Sequence, residues 1–255
     1  MNTLTRHTQE LSWDYTALAA RYHLRAPYSQ AALRDLFALM QLRPHALAAD
    51  IGAGTGNLTA ALVDAGFQVT AVEPNAAMRE RGMRKVIAAT WLATRGEATG
   101  LPDAAFDLVT FGSSFNVMHA PAALAESARL LRPGGWLAVL WNHRDLDDPR
   151  QRELQAVIED EIAGYRHGSR REDPSASILA HGAFDRVECI EGQLSHAIDA
   201  ADFVDGFRAH ATLVRQAGNR LPAVLAALTV ATGTDTLLSV PFVTRIYASR
   251  RRHWP

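Results

Sequence analysis

Three closely spaced glycines that follow a short apolar run constrain this 255-residue chain more than any other feature. The run contains an acid, Asp50, and the glycines are Gly52, Gly54 and Gly56. Residues 58–65 then continue at helical spacing. A glycine-rich turn between a strand and a helix lets a ligand approach the backbone closely, because no Cβ intervenes. The stretch therefore predicts a strand–turn–helix unit with a ligand at the turn.

The acid beside the turn indicates which ligand binds there. In a dinucleotide fold a pyrophosphate would face the helix N-terminus, and a carboxylate as close as Asp50 would repel it. The glycine spacing is GxGxG, whereas the dinucleotide fingerprint is GxGxxG. A second apolar run ends at Glu73, where an acid takes ribose hydroxyls in either kind of fold. The pattern favours a nucleoside ligand with a cationic end.

Apolar runs and helical patterns alternate along the first 145 residues. Predicted strands cover residues 46–51, 68–72, 87–94, 106–111 and 136–141, predicted helices include 76–83 and 120–131, and a turn is predicted at 132–135. This alternation argues for a parallel sheet that is covered on both faces.

The pattern changes after residue 145. Helices are predicted at 150–165, 201–210 and 221–228, a strand at 184–190, and a final β-branched run at 236–249. Pro241 interrupts that last run. Because proline cannot donate to a β-ladder, we expect a bulge or a sheet edge there.

Composition excludes several classes of function. The formal net charge of −1 provides no basic field for nucleic acid. The single cysteine, Cys189, excludes internal disulfides and argues against a cysteine-based metal site. No apolar h-region follows Met1, and no apolar stretch reaches membrane-spanning length. We expect a soluble cytoplasmic protein that binds neither nucleic acid nor membrane.

Five segments occur in an order that points to a family. They are DIGAGTG (residues 50–56), AVEPN (71–75), GEATGLP (96–102), FDLVTFGSSFNVMH (106–119) and LRPGGWLAVLWNHRD (131–145). In this order they resemble the class I S-adenosylmethionine-dependent methyltransferases. The resemblance is closest to the small-molecule branch that includes ubiquinone-type and trans-aconitate-type enzymes.

The resemblance implies an α/β fold. This is a Rossmann-like seven-stranded sheet, mostly parallel with the last strand antiparallel, flanked by helices and carrying a helical lid after the fifth strand. Residues 1–44 would form a helical arm over the cofactor, 45–148 the cofactor-binding core, 149–230 the lid with the sixth strand, and 231–255 the strand that completes the sheet.

The resemblance also implies roles for residues at the cofactor. Gly52, Ala53 and Gly54 would present backbone to the methionyl part, Asp50 would orient its amino group, and Glu73 would hold the ribose hydroxyls. The remaining predicted cofactor contacts are Pro74 and Met78 near the adenine, Glu97 at the adenine amino group, Ala98 beside it, Ser113 and Ser114 near the sulfonium, and Tyr22 and Tyr28 in the tyrosine-rich part of the arm that follows Trp13. A methionine at helical spacing is more often a core residue, and the two tyrosines are equally compatible with core packing.

Candidate acceptor residues follow the fourth strand and lie in the lid. Phe115 and Asn116 stand where the nucleophile would arrive, and Asn116 replaces a histidine that is usual in many relatives. Phe207 and Arg208 lie on a predicted lid helix. Candidate general bases are His119, His143 and His210, although a lone histidine also serves structural roles. The histidines are scattered along the chain, so no metal site is predicted.

The predicted function is methyl transfer by in-line displacement to an oxygen or nitrogen of a small organic metabolite, with S-adenosyl-L-homocysteine as the second product. Alternatives are carboxyl O-methylation of a small organic acid and a cofactor-binding protein without turnover. An inward-pointing Arg208 would favour an anionic acceptor. A monomer or homodimer is expected.

Overall fold

The computed structural model describes residues 14–253, so Trp13 and the rest of the first 13 residues of the predicted arm lie outside it. The strands are β1 Leu47–Ile51, β2 Gln68–Val72, β3 Thr90–Leu92, β4 Phe106–Gly112, β5 Leu131–Arg144, β6 Phe184–Asp199 and β7 Leu237–Arg251. The α-helices are α1 Gln30–Met40, α2 Asn57–Asp64, α3 Ala76–Lys85, α4 Ala120–Leu130, α5 Pro149–Glu161, α6 Ser175–Ala180, α7 Ala200–Gly206, α8 Ala211–Ala217 and α9 Leu221–Thr232. Short 3-10 helices include Ala19–Leu24, Phe115–Val117, Ser169–Arg171 and Phe207–Ala209.

The seven strands form one sheet in the order β3-β2-β1-β4-β5-β7-β6. Strands β1 to β5 are parallel, and β7 runs antiparallel to both β5 and β6. The predicted seven-stranded sheet with an antiparallel last strand is therefore confirmed.

Alternating side chains of the central strands build a core on each face of the sheet. Val109 and Phe111 of β4 pack on one face, whereas Leu108 packs on the other with α1 and α2. Both faces bury apolar side chains, which explains why β1 and β4 are apolar along nearly their whole length. Ser29 and Asn75 cap α1 and α3 by accepting from the amides of Ala32 and Met78.

Two details of β5 and β7 refine the sequence prediction. The turn expected at residues 132–135 lies inside β5, where the pairing with β4 shifts between Phe106 and Leu108. That prediction was wrong, because a register irregularity absorbs the glycines without ending the strand. Pro241 pairs with Ser195 of β6 without a register shift, and its carbonyl accepts from the Asp145 amide just after β5. Pro241 therefore lies inside the sheet, at the point where the residue pairing of β5 with β7 ends, and no bulge occurs there.

The lid is a separate apolar cluster made by α5, α7, α8 and α9. It packs on the ends of β6 and β7 through Ile198, Leu238 and Val240. Its helices come from both connections, β5 to β6 and β6 to β7. None of the helices between residues 14 and 253 is long and apolar enough to cross a membrane.

Candidate functional site

A cavity of about 760 Å³ opens at the carboxyl ends of β1, β2, β4 and β5. In parallel α/β sheets ligands bind at this edge. The segment after residue 14 and the lid complete the wall. Predicted site residues that line the cavity are Tyr22, Tyr28, Asp50, Gly52, Ala53, Gly54, Glu73, Pro74, Met78, Glu97, Ser113, Ser114, His143, Phe207 and His210.

Gly52 and Gly54 of the glycine loop have different roles. Gly54 has φ +58°, and a Cβ built on it would meet nothing within 4 Å, so its backbone faces open space at the cavity wall. Gly52 has φ +68°, but a Cβ there would lie 2.5 Å from the Cβ of Ser114. Gly52 is thus required by packing between β1 and β4, whereas Gly54 leaves room for a ligand.

Glu73 stands at the end of β2 and joins the glycine loop to α3. Its two carboxylate oxygens accept from the amides of Gly54 and Asn75, each at 2.8 Å. Burial raises the pKa of this carboxyl, while the two amides oppose the shift. Each oxygen keeps a second lone pair, so the carboxylate can still accept from two hydroxyls of a vicinal diol.

Asp50 is fully buried and held from two sides. Thr59 donates to one carboxylate oxygen at 2.6 Å, and Thr110 donates to the other at 3.0 Å. Burial raises the pKa of this carboxyl to about 6, because desolvation outweighs the two hydroxyl bonds. Asp50 borders the cavity as a fixed acid whose remaining lone pairs can serve an ammonium group.

The segment after β4 faces the glycine loop. Ser114 donates to the carbonyl of Ile51 at 2.6 Å, which fixes β4 to β1. The hydroxyls of Tyr28 and Ser113 lie 3.2 Å apart. Burial raises the pKa of the Tyr28 phenol to about 12, so it remains protonated. The Arg25 guanidinium lies 5.2 Å from the Tyr22 ring centre, at the mouth of the same cavity.

The predicted adenine end is formed by α3 and the loop after β3. Met78 is buried with Leu18 and Ala19 and also borders the cavity, so it has a place in both interpretations. Glu97 accepts from the His119 amide at 3.3 Å and lines the wall. Ala98 does not line it, and its amide donates to the Arg95 carbonyl.

Four further predicted residues lie off the cavity. Phe115 packs in the core against Phe111, and His119 is exposed at the start of α4. Asn116 accepts from the Trp141 indole at 2.9 Å and faces a neighbouring crevice. Arg208 pairs with Asp205 at 2.9 Å and does not face the cavity. The expectations of direct acceptor contact at these residues do not fit this geometry.

Two of the three candidate bases face the cavity. His143 is buried at the end of β5, and its Nδ1 has no hydrogen-bond partner. Desolvation, with smaller contributions from Arg170, Arg171 and Arg245, lowers the pKa of His143 to about 2. His210 Nε2 is contacted by the Arg170 guanidinium, and desolvation lowers the pKa of His210 well below 6.5. Both imidazoles are therefore neutral near pH 7.

The arginines of the cavity wall are not among the site residues predicted from the sequence. Arg144 at the end of β5, Arg170 and Arg171 on the lid, and Arg25 on the arm all line it. Arg144 belongs to the LRPGGWLAVLWNHRD segment. Arg170 and Arg171 lie between the helix predicted at 150–165 and the strand predicted at 184–190. In the described part of the chain, no group of three or more His, Cys, Asp or Glu side chains could hold a metal ion.

Comparison with known proteins agrees with the motif order. Residues 49–139 match a family model described as a methyltransferase domain. This segment is similar to methyltransferase domains. The resemblance to the class I S-adenosylmethionine-dependent methyltransferases is thereby confirmed, and the matched residues include the glycine loop, Glu73 and Glu97.

Curated methyltransferases are similar to about half of this chain. An uncharacterized methyltransferase of Mycobacterium tuberculosis is 39% identical over 111 residues, 43% of this chain and 45% of the relative. A ubiquinone/menaquinone biosynthesis C-methyltransferase of Zymomonas mobilis is 31% identical over 132 residues, 48% of this chain and 54% of the relative. The chain thus spans about half the length of the curated relatives it matches.

A solved structure extends the likeness of fold to the lid. Haemonchus contortus phosphoethanolamine N-methyltransferase 2, in complex with S-adenosyl-L-methionine, superposes with a TM-score of 0.56 at 13% identity. The match covers 95% of this chain and 58% of that one. At this identity the likeness concerns the fold alone.

Proposed function

We propose that this chain binds S-adenosylmethionine in the β1–β2 half of the cavity and transfers its methyl group to a small molecule held under the lid. The observation that carries this proposal is the pairing of Glu73 with Gly54. An open glycine backbone and a carboxylate with two free lone pairs stand side by side at the end of a parallel sheet. That arrangement fits a nucleoside with a vicinal diol and does not fit a pyrophosphate.

The acids on this half of the cavity fit the charge of the cofactor. Asp50 and Glu73 line the wall at the ends of β1 and β2, Glu97 lines it after β3, and Asp14 lines it beside Asn75. In the described part of the chain, the one ion pair among them is that of Glu97 with Arg95, which also lines the wall. S-adenosylmethionine, when bound, supplies a methyl group on a cationic sulfonium. An acidic wall attracts a ligand with an ammonium and a sulfonium, and it would repel the phosphates of a dinucleotide.

The chain's own residues would act mainly by positioning. Methyl transfer needs the nucleophile, the methyl carbon and the sulfur in line, and such alignment contributes roughly 7–11 kcal/mol. The new bond forms at the methyl carbon as the carbon–sulfur bond breaks, and the bonding pair stays on sulfur. Tyr28 and Ser113 border the space between the two halves of the cavity. There they would hold the acceptor and exclude water.

His143 would contact the acceptor nucleophile. Its ring lines the cavity, while its Nδ1 is buried without a hydrogen-bond partner, so the imidazole would act through its other nitrogen, which can accept from a hydroxyl or an amine in the matching tautomer. An O–H or N–H acceptor must lose a proton, and of the two candidate bases that line the cavity, His143 and His210, only His210 has a guanidinium hydrogen-bonded to its ring. A carboxylate acceptor carries no proton and needs no base, which keeps carboxyl methylation as the alternative.

Isothermal titration calorimetry with S-adenosylhomocysteine, NAD and NADP tests the cofactor class. We expect S-adenosylhomocysteine to bind and the two dinucleotides not to bind; binding of NAD alone would overturn the proposal. Turnover is tested by incubating the protein with methyl-tritiated S-adenosylmethionine and a protein-free metabolite extract. Label in a new small molecule supports the enzyme, and binding without transfer supports the non-catalytic alternative.

A further inference from the structure

The lid half of the cavity is basic. Arg144 leaves β5 and donates to the side chains of Gln151 at 3.1 Å and Gln155 at 2.7 Å on α5. Arg170 donates to the Asn142 carbonyl at 2.9 Å, and Arg171 to the Arg144 carbonyl at 3.2 Å. Every partner named is neutral. Three guanidinium groups thus converge on one wall without an anion.

Arg144, Arg170 and Arg171 have no carboxylate partner in the described part of the chain. Between residues 14 and 253, no Asp or Glu oxygen lies within 4.0 Å of a nitrogen of Arg144, Arg170 or Arg171, whereas the structure contains thirteen such pairs elsewhere. Asp145 affects Arg171 only from a distance. Buried charges are ordinarily paired, because desolvation of an isolated ion costs far more than a neutral group.

Burial makes the missing counter-charge consequential. Desolvation lowers the pKa of Arg144 and of Arg170 to about 10, and Arg171 adds like-charge repulsion at both. The groups that face this cluster are Tyr165, His167, His143 and His210, with Glu159 further away. They supply no neighbouring anion. This part of the wall therefore carries a net positive charge, which a bound anion would neutralise.

Apolar side chains form the rest of the lid half of the cavity. Phe203, Phe207, Ile198 and Phe242 line the cavity beside the arginines. Phe207 packs edge-to-face on Phe203 at 5.2 Å, and the Arg144 guanidinium lies 5.2 Å from the Phe207 ring centre. A ligand here would meet a charged head site and an apolar body site together.

We propose that the methyl acceptor is an amphipathic organic anion whose carboxylate or phosphate head binds among Arg144, Arg170 and Arg171 while its apolar body contacts Phe203 and Phe207. This inference rests on the proposed function, because it assigns the acceptor to the lid half and the cofactor to the acidic half. Guanidinium groups pair bidentately with both kinds of head, so the two remain to be distinguished by experiment.

The test uses the full chain saturated with S-adenosylhomocysteine and three matched probes. Calorimetry measures the affinities of benzoate, phenyl phosphate and the neutral isostere benzamide. We expect benzoate or phenyl phosphate to bind about tenfold or more tightly than benzamide, the size of one charge-assisted pairing. Preference for benzoate identifies a carboxylate head, and preference for phenyl phosphate identifies a phosphate head. Equal affinity for all three probes, or tighter binding of benzamide, would overturn the inference.

Two variants locate the binding. Arg171→Met should lower the affinity for the preferred anion about tenfold and leave benzamide unchanged. Arg166→Met removes an exposed arginine of the same loop and should change neither. Equal losses in the two variants would assign the effect to general charge and contradict the site. Titration of the wild-type chain with S-adenosylhomocysteine reads the proposed function separately, so failure of either proposal is distinguishable.

Discussion

The Arg170 guanidinium donates a hydrogen bond to Nε2 of His210. Guanidinium has no acceptor, so Nε2 must carry a lone pair and the proton must sit on Nδ1. The Leu213 amide, 3.3 Å from Nδ1, then faces an N–H and cannot donate to it. His210, predicted as a candidate base, therefore has the geometry of a positioning residue for Arg170.

This hydrogen bond predicts that the lid residues bind the acceptor and that the glycine loop binds the cofactor. Phe207→Leu keeps apolar volume but removes the ring under Arg144, a cation–π contact worth roughly 0.5–2 kcal/mol. His210→Ala removes the hydrogen bond that positions the Arg170 guanidinium. Both variants should weaken binding of the preferred anion several-fold, with the affinity for S-adenosylhomocysteine within about twofold of wild type. Loss of cofactor affinity as severe as the loss of anion affinity would show that the lid does not act on the acceptor alone.

The carboxylate of Glu73 should dominate cofactor affinity. Glu73→Gln would place an amide N–H₂ against the amide of Gly54 or of Asn75 and would remove the charge that strengthens the hydroxyl bonds. We expect the dissociation constant for S-adenosylhomocysteine to rise about 10- to 100-fold, since a charge-assisted bond contributes roughly 1.5–3 kcal/mol. Glu80→Gln, an exposed acid on α3, is the control in the same calorimetric titration and should bind as wild type does.

Gly52 should be essential to stability rather than to ligand contact. Gly52→Ala sets a Cβ 2.5 Å from the Cβ of Ser114 at φ +68°. The left-handed backbone costs about 1–2 kcal/mol and overpacking adds about 1–3 kcal/mol. Urea denaturation should therefore show a loss of about 2–5 kcal/mol in the free energy of unfolding. In a Ser114→Gly background, which already lacks the hydrogen bond to Ile51, Gly52→Ala should cost less than in wild type because the Cβ contact is gone; an equal cost in the two backgrounds would contradict the assigned clash.

Burial of neutral His143 predicts sensitivity to acid. The folded pKa is about 2 and the ordinary value is 6.5, so between these values the unfolded chain binds a proton that the folded chain does not. Stability from this group is complete above pH 6.5 and is lost as the pH falls. The loss approaches about 1.4 kcal/mol per pH unit.

His143→Gln removes that titration and leaves the raised pKa of Asp50 in both proteins. The difference in free energy of unfolding between wild type and variant should shrink by about 2 kcal/mol from pH 7 to pH 5. Urea denaturation at several pH values measures it, with His23→Gln as an exposed-histidine control. Parallel curves for wild type and His143→Gln would contradict a buried neutral imidazole.

Much of the fold and of the cofactor half could be predicted because their determinants are local. Gly54 and Glu73 each sit at the end of a short apolar run, and the carboxyl ends of parallel strands meet at one edge of the sheet. The strand boundaries of β2 follow from the apolar pattern alone.

The acceptor half could not be predicted in the same way. Arg170 and Arg171 enter the cavity because the lid packs on β6 and β7, and no periodicity within residues 166–175 carries that information. Phe115 and Arg208, which were predicted to contact the acceptor, do not line the cavity for a related reason. Their positions along the chain are near the site, but a 3-10 turn directs Phe115 into the core and Asp205 holds Arg208 outside.

The cavity has two halves of opposite charge, an acidic half that we assign to the cofactor and a basic half that we assign to the acceptor. The most direct measurement is calorimetry of S-adenosylhomocysteine and of the preferred anionic probe on both Glu73→Gln and Arg171→Met. We expect Glu73→Gln to lose affinity for the cofactor product and to bind the anion as wild type does, and Arg171→Met to lose affinity for the anion and to bind the cofactor product as wild type does. Equal loss of both ligands in either variant would contradict this assignment.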